Sequence, residues 1–376
     1  MRILIWGITP FATTAYGLQG YKLAKLFQKL HHEVLYLSYS GISKACQINY
    51  DGIEIISGDD NGLTLLPLLL QDFKPSLALQ FFDLWTLPIE FSGEEQLTSY
   101  TPIDSSPMAW RLQMMLPRMK AVISMSKFHQ EECHKLGINS KYIPHIVDDH
   151  VFSPQPQSKA RAFYGYQEKA FIFGINAVNL GLRKNFEGML QGFSLARKQC
   201  PNMKLALFTW ARRDPQHPEA VDLIALIQEL EIPFEALYFI DQRNYLLGVP
   251  KAELALWYNT LDVNLLASSG EGFGIPIVEA GLCQVPSIVT DNSAMTEVAG
   301  NGIKLTPQEI IWFPLNQTFM WRPSSKALAN SLINLYQDEK LLLSLGKEVR
   351  EHCLKNYTPK VVEPLWQNYL LNRSLV

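Results

Sequence analysis

The sequence has no excess of positive charge, no long apolar run and no grouped cysteines. Its 376 residues carry 33 Lys and Arg against 36 Asp and Glu, a formal net charge of -3. Nucleic-acid binders draw affinity from a basic face or stripe, so this balance argues against that class. No segment approaches the roughly 20 apolar residues that a membrane-crossing helix needs. The opening MRILIWGI is too short and too soon broken for a signal peptide. Cys46, Cys133, Cys200, Cys283 and Cys353 lie far apart, without a CxxC or a metal-ligand spacing. An odd, scattered set of thiols reads as buried side chains in a reducing compartment rather than a disulfide framework. Short-period repeats and low-complexity tracts are also missing. Together these absences describe a cytoplasmic globular protein and say little about its chemistry.

What is present is alternation. Arg2–Ile8 is a nearly continuous apolar run, the pattern of a parallel strand buried on both faces. Leu23, Leu26, Phe27 and Leu30 then repeat at helical spacing, and Glu33–Leu37 supplies the next strand, so a βαβ unit opens the chain. Further strands are expected at Ile53–Ile56, Leu77–Phe82, Leu97–Thr101, Ala121–Met125 and Tyr142–Val147, with helices at Leu63–Phe73 and Lys127–Leu136. Asp148–Lys159 is polar, contains proline and lacks a pattern, which marks a linker.

A second series follows. Its strands are expected at Phe171–Val178, Lys204–Trp210, Ala236–Asp241, Leu261–Ala267, Pro286–Thr290 and Ile303–Leu305. Helices are expected at Phe186–Cys200, Pro218–Leu230, Lys251–Asn259 and Pro276–Leu282, and the tail from about Thr358 reads as a last helix. Two βα series imply an α/β protein of two doubly wound domains, with ligands at the carboxyl ends of the strands and the cleft between the domains as the default site. The expected division is 1–155, completed by the helix 358–376, and 156–357. The aromatic run Ile310–Trp321 interrupts the series and has no functional account.

The chemistry concentrates in LLASSGEGFGIPIVEAG, Leu265–Gly281. A buried strand runs into Ser268, Ser269 and Gly270. Pro276 is suited to the first position of the helix that follows, because its missing N–H has no partner there. Glycines let the backbone approach a ligand closely, and the amides and dipole of a helix start favour an anion such as phosphate. Two carboxylates frame the turn: Glu271 in the loop and Glu279 expected in the first helical turn. Carboxylates accept hydrogen bonds from hydroxyls. An anion-binding turn flanked by two acids therefore suits a nucleotide-sugar. A plain helix start with nearby acids explains Glu279 alone, but not the whole ensemble.

Ser269, Glu271–Gly274, Pro276 and Glu279-Ala280 resemble the E-x7-E signature of retaining GT-B glycosyltransferases, specifically family 4. The resemblance implies two Rossmann-like domains facing a central cleft. It implies that Glu271 contacts the transferred sugar and Glu279 the nucleotide ribose. Amides around Gly272, Phe273, Gly274 and Ile275 would face the sugar and diphosphate, with Ser269 beside them. Arg183-Lys184-Asn185, after the first strand of the second half, is similar to the family's basic turn, which neutralises the diphosphate as it leaves. The family often has an arginine a few residues before the lysine; here that place is near Asn179, and Arg183 is the alternative cation. Ile143–Asp148 with Phe152 looks like the family's interdomain segment, with Ile146 in place of a glycine and His145 structural. Asp291–Gly300 resembles a family stretch in which Glu297 is structural.

The first half carries less. Gly7, Thr9, Thr13, Thr14 and Gly17 are expected to line the turn after the first strand, which in related enzymes approaches donor phosphate and acceptor; Gly17 is the binding candidate. Many relatives place a histidine after a middle strand. The matching place, Tyr100–Asp104, has none, and Asp104 is the nearest group able to bind a sugar hydroxyl, although a plain turn explains it too. Met108–Lys120 mixes apolar and basic residues and suits either a helix on the core or a membrane surface that presents a lipid-linked acceptor.

The implied reaction is transfer of a hexosyl group, with retention, from a GDP-mannose or UDP-glucose type of donor to a glycan, lipid or small molecule. It calls for no metal or other cofactor. A nucleotide-sugar 2-epimerase shares the architecture, and a non-catalytic carbohydrate- or nucleotide-binding protein on a degenerate form of the fold is the other alternative.

Overall fold

The computed structural model describes residues 1–42, 44–213 and 220–374. The chain forms two compact units: Met1–Ile146 together with the stretch from Pro359 onward, and Val147–Thr358.

The first unit is built on eight strands: β1 (Arg2–Ile8), β2 (Glu33–Ser40), β3 (Cys46–Tyr50), β4 (Ile53–Ser57), β5 (Leu77–Phe81), β6 (Leu97–Ser99), β7 (Ala121–Ser124) and β8 (Ser140–Tyr142). They lie in the order β3-β4-β2-β1-β5-β6-β7-β8. All neighbours are parallel except β3, an edge strand that runs antiparallel to β4. Strand β1 is central, and Ile3, Leu4, Ile5 and Trp6 are fully buried, which explains the unbroken apolar run. Each such side chain contributes about 1.5–3 kcal/mol relative to an exposed position.

Helices α1 (Ala15–Lys29), α2 (Leu65–Phe73), α3 (Trp110–Met115) and α4 (Lys127–Lys135) cover this sheet. The Thr14 hydroxyl caps α1 by accepting from the Gly17 amide, and Ser126 caps α4 through the His129 amide. The chain's last helix also belongs to this unit: its Trp366 is buried edge-on against Phe27 and Tyr100.

The expected strand Tyr142–Val147 is placed differently, since β8 ends at Tyr142. Pro144 has no N–H for a ladder, and the backbone of Ile146 is bound instead by side chains of α1. Gln19 Nε2 and Lys22 Nζ donate to its carbonyl at 2.8 and 2.9 Å, and its amide donates to Gln19 Oε1 at 3.2 Å. The strand β3 has no counterpart in the sequence reading. Its residues are largely exposed, so it lacks the apolar pattern that reveals the buried strands.

The first helix of the second unit is α5 (Gln157–Tyr164), which begins within the last residues of the stretch expected as a linker and runs past its end. Its sheet has the order β11-β10-β9-β12-β13-β14, made of β9 (Phe171–Asn176), β10 (Met203–Phe208), β11 (Leu237–Phe239), β12 (Val263–Leu266), β13 (Ser287–Thr290) and β14 (Ile303–Leu305). All pairs are parallel. The connecting helices are α6 (Gly181–Lys184), α7 (Phe186–Arg197), α8 (Leu223–Glu229), α9 (Gln242–Leu247), α10 (Lys251–Tyr258), α11 (Ile275–Leu282) and α12 (Met295–Val298). The start of the helix expected at Pro218–Leu230 lies outside the described residues.

Order reverses between β9 and β12. Ligands of such sheets collect at this switch point, beyond the carboxyl ends of the two strands.

The aromatic run is an antiparallel hairpin, β15 (Glu309–Phe313) and β16 (Thr318–Arg322). Cross-strand pairs Ile310–Trp321 and Trp312–Phe319 share one exposed face, while Phe313 and Met320 on the other are buried. Helices α13 (Ser325–Gln337), α14 (Glu339–Asn356) and α15 (Pro359–Ser374) complete the chain.

Candidate functional site

Two loops meet at the β9/β12 switch point. One leaves β9 and ends in α6, which carries Arg183 and Lys184. The other leaves β12 as Ala267–Gly274 and enters α11.

They are stitched together by three hydrogen bonds. The Ser269 amide donates to the Arg183 carbonyl at 2.8 Å, the Ser269 hydroxyl to the Leu182 carbonyl at 3.0 Å, and Asn185 Nδ2 to the Ala267 carbonyl at 2.9 Å. Asn185 sits in the left-handed region, φ 51°, a conformation that asparagine tolerates better than most residues. Its amide side chain was not singled out from the sequence, although it lies in the basic turn that was.

These bonds set a buried ion cluster. Glu271 Oε1 accepts from Lys184 Nζ at 2.5 Å and from the Ser268 hydroxyl at 2.7 Å, and Arg183 Nη1 stands 3.8 Å from Glu271 Oε2. Burial pushes the Glu271 carboxyl up, but the Lys184 and Arg183 charges and the hydrogen bonds from Lys184 and Ser268 outweigh it and hold the group below its ordinary value. Two cations thus stand against the one carboxylate at the loop junction. Asn179, at the place of the family's more usual arginine, is occupied elsewhere. Its Nδ2 donates to the carbonyls of Trp210 and Val221 at 3.2 and 2.7 Å, and its Oδ1 accepts from the Val221 amide at 3.1 Å. Its role is to pin the β10–α8 connection.

Gly274 starts α11 with φ 96°, a left-handed conformation that favours glycine. Pro276 occupies the second helical position rather than the first, because the helix begins at Ile275. The Glu271 amide donates to the Ser293 hydroxyl at 3.0 Å, and the Phe273 ring packs edge-on against Tyr357 at 5.4 Å. Gly272, Phe273 and Gly274 are buried, and Ile275 is half-buried.

Glu279 falls in the second turn of α11, not the first, and is 3% exposed. Oε1 accepts from Lys251 Nζ and Oε2 from the Tyr258 hydroxyl, each at 3.0 Å. Burial and the Glu279 charge keep the Tyr258 phenol well above its ordinary value, so it stays a donor. Neither Lys251 nor Tyr258 was marked from the sequence: they lie 28 and 21 positions before Glu279, and nothing in the spacing ties them to it.

Gly17 and Asp104 belong to the first unit. Gly7 lies within β1 itself, not in the turn after it. The Gly17 amide is committed to the Thr14 hydroxyl at 3.1 Å. A side chain at position 17 would come within 2.4 Å of the Ala12 carbonyl, so close packing of the turn already demands glycine. Asp104 is half-buried in the loop after β6. At that strand end the Tyr100 hydroxyl lies 3.1 Å from Nδ1 of His145, so a histidine does reach this strand, from a different segment. Burial, with help from Lys22, pushes its pKa down to about 3, and the ring is neutral. In Met108–Lys120, Arg111 and Arg118 turn inward to the carbonyls of Trp85, Leu87 and Ile89, while Trp110 and Met114 remain exposed.

Among the described residues no group of three or more His, Cys, Asp and Glu forms a metal-binding cluster, and no helix is long and apolar enough to cross a membrane.

In comparison with known proteins, the family match falls within the second unit and the structural matches span the whole chain. The family model described as glycosyl transferases group 1 matches residues 159–352. N-acetyl-alpha-D-glucosaminyl L-malate synthase of Bacillus anthracis is 24% identical over 264 residues, 69% of this chain and 62% of that protein. The chain spans 54% and 62% of the lengths of two curated relatives it matches. Among solved structures, sucrose-phosphate synthase of Thermosynechococcus elongatus superposes with a TM-score of 0.77 at 16% identity, covering 100% of this chain and 99% of that one. Anabaena HepE, solved with UDP and glucose, superposes with a TM-score of 0.72 at 16% identity, covering 100% of both chains. The shared architecture is the GT-B fold.

Proposed function

This chain belongs to the group 1 glycosyl transferases, and from that premise we propose that it moves a hexosyl group, with retention, from a nucleotide-sugar to a hydroxyl of a glycan, lipid or small-molecule acceptor. The observation that carries the reading is the buried Glu271 carboxylate held by Lys184 and Arg183 beside the start of α11. Breaking the bond between anomeric carbon and phosphate transfers negative charge to the departing nucleoside diphosphate. Fixed cations and helix-start amides aimed at that charge stabilise it without reorganising as it develops.

In this scheme Arg183 and Lys184 neutralise the diphosphate, assisted by the amides of Gly272, Phe273, Gly274 and Ile275. Glu271 orients the transferred sugar. Ser269 holds the basic turn to this loop, and Glu279 accepts from ribose hydroxyls. The acceptor hydroxyl attacks from the face that the diphosphate leaves and gives its proton to a phosphate oxygen, so no strong protein base is required. Gly17 serves by allowing close backbone approach after β1, and Asp104 binds a sugar or acceptor hydroxyl. No metal is called for, since the cations supply the charge. We assign the protein to the cytoplasm, with Trp110 and Met114 as the contact to a membrane surface that presents a lipid-linked acceptor.

A thermal-shift panel of UDP- and GDP-sugars on the wild type and Glu279→Ala tests this. UDP-glucose heads the panel because HepE shares the fold and was solved with UDP and glucose. A ligand that binds only the native state raises the melting temperature, so one sugar nucleotide should stabilise the wild type and lose that effect in the variant. No shift with any donor, from folded protein, would refute the reading.

A further inference from the structure

Helix α10 presents two donors to one acceptor. Lys251 and Tyr258 are seven residues apart, two helical turns, and so share a face. Both reach Glu279 in α11, one to each carboxylate oxygen, at 3.0 Å. The Tyr258 hydroxyl in turn accepts from Asn176 Nδ2, at the end of β9, at 2.7 Å. A hydroxyl that receives this bond directs its own proton elsewhere, and Glu279 is where it goes. Lys251 is an odd choice for its own helix. It stands in the first turn of α10, where the helix dipole disfavours a cation, and its Nζ is further settled over the Phe152 ring at 5.6 Å. Residues that break a local preference mark places where something other than local stability is served.

We propose that Lys251 and Tyr258 are positioning residues that orient Glu279 to read two neighbouring hydroxyls of a ribose, so that ribonucleotides are selected over 2′-deoxyribonucleotides. This rests on the nucleotide-sugar reading of the same unit. A carboxylate has about four lone-pair positions. With one donor on each oxygen, one acceptor position remains on each, and the plane of the group is fixed from both sides. Two acceptors on one rigid plane match the vicinal 2′- and 3′-hydroxyls. A nucleotide lacking the 2′-hydroxyl leaves one buried acceptor without its bond, and sites built around a hydroxyl reject analogues that lack it. Released from either donor, Glu279 can turn, and the penalty for the missing hydroxyl falls.

Calorimetric titration with UDP, 2′-deoxy-UDP, GDP and 2′-deoxy-GDP tests the assignment on the full chain. The wild type should prefer the ribonucleotide of its own base by about tenfold or more. Lys251→Met and Tyr258→Phe should compress that ratio to within about threefold, and Lys251→Arg, which keeps the charge and the donor, should restore most of it. A residue that only supported the fold would weaken both sugars alike and leave the ratio unmoved. Lys251 is half-exposed, so its variants decide the matter even where Tyr258→Phe unfolds. A wild-type ratio near one, or a full ratio retained in Lys251→Met, overturns the proposal and leaves the donor site standing. Failure of all four nucleotides to bind the wild type removes the donor-site reading and this one with it.

Discussion

Lys184 and Glu271 form an ion pair at 2.5 Å with both side chains almost entirely buried. The pair joins the loop after β9 to the loop after β12, and each partner is the reason the other tolerates its place. Lys184→Ala would leave a carboxylate in a dry site, a change that costs about 3–5 kcal/mol in buried pairs; Arg183 at 3.8 Å places the expected loss near the lower figure. The double variant Lys184→Ala/Glu271→Gln should recover part of it, and a double-mutant cycle by urea unfolding measures the coupling.

The same pair gives acid sensitivity of a defined sign. The Glu271 carboxyl is held below its ordinary value of 4.5 in the fold. The unfolded chain therefore takes up the proton first, and the stabilisation is complete above pH of about 4.5 and is lost as pH falls through the folded value. The stability gap between wild type and Glu271→Gln should be constant from pH 7 to 5 and narrow below that, as followed by melting temperature. A gap independent of pH down to 3 would contradict the pairing.

Asn185 is expected to be irreplaceable by the smallest side chains for two separable reasons. Asn185→Gly keeps the left-handed backbone but loses the bond to the Ala267 carbonyl, with a cost of about 1–3 kcal/mol for the buried acceptor. Asn185→Ala adds backbone strain of about 1–2 kcal/mol. Alanine should therefore be the worse of the two in urea midpoint, and both should weaken the nucleotide-induced thermal shift because the basic turn comes loose. Equal stability of the two variants would show that φ 51° carries no penalty there.

His129 has neither ring nitrogen hydrogen-bonded and is fully buried, and burial pushes its pKa down to about 3. Below the unfolded value of about 6.5 the unfolded chain binds a proton that the folded ring refuses, so stability declines as pH falls from 6.5 towards 3. At pH 5 this amounts to about 2 kcal/mol. His129→Leu should match or exceed the wild type at pH 7, by about 1 kcal/mol, and its advantage should grow by about 2 kcal/mol at pH 5. Parallel acid limbs for the two proteins in urea titrations would refute this.

Much of the architecture was legible in the chain because the buried parallel strands leave continuous apolar runs. Strand β1 coincides with the expected Arg2–Ile8 and β14 with Ile303–Leu305. The glycines, Glu271 and Glu279 were also marked by local spacing and by the resemblance they carry. What the chain did not display were the exposed strand β3, the helix α5 and the 309–322 hairpin, whose patterns are set by half-exposed faces rather than by burial.

The sequence by itself determined that two βα series exist, and that a glycine-rich turn with two acids follows a buried strand. Only the tertiary structure decided which side chains those acids meet. Strand order reverses between β9 and β12, and this brings Lys184 to Glu271 across 87 positions, while the packing of α10 on α11 brings Lys251 to Glu279 across 28. Hydrogen bonds and ion pairs act over a few ångströms of space, and the distance along the chain does not enter them.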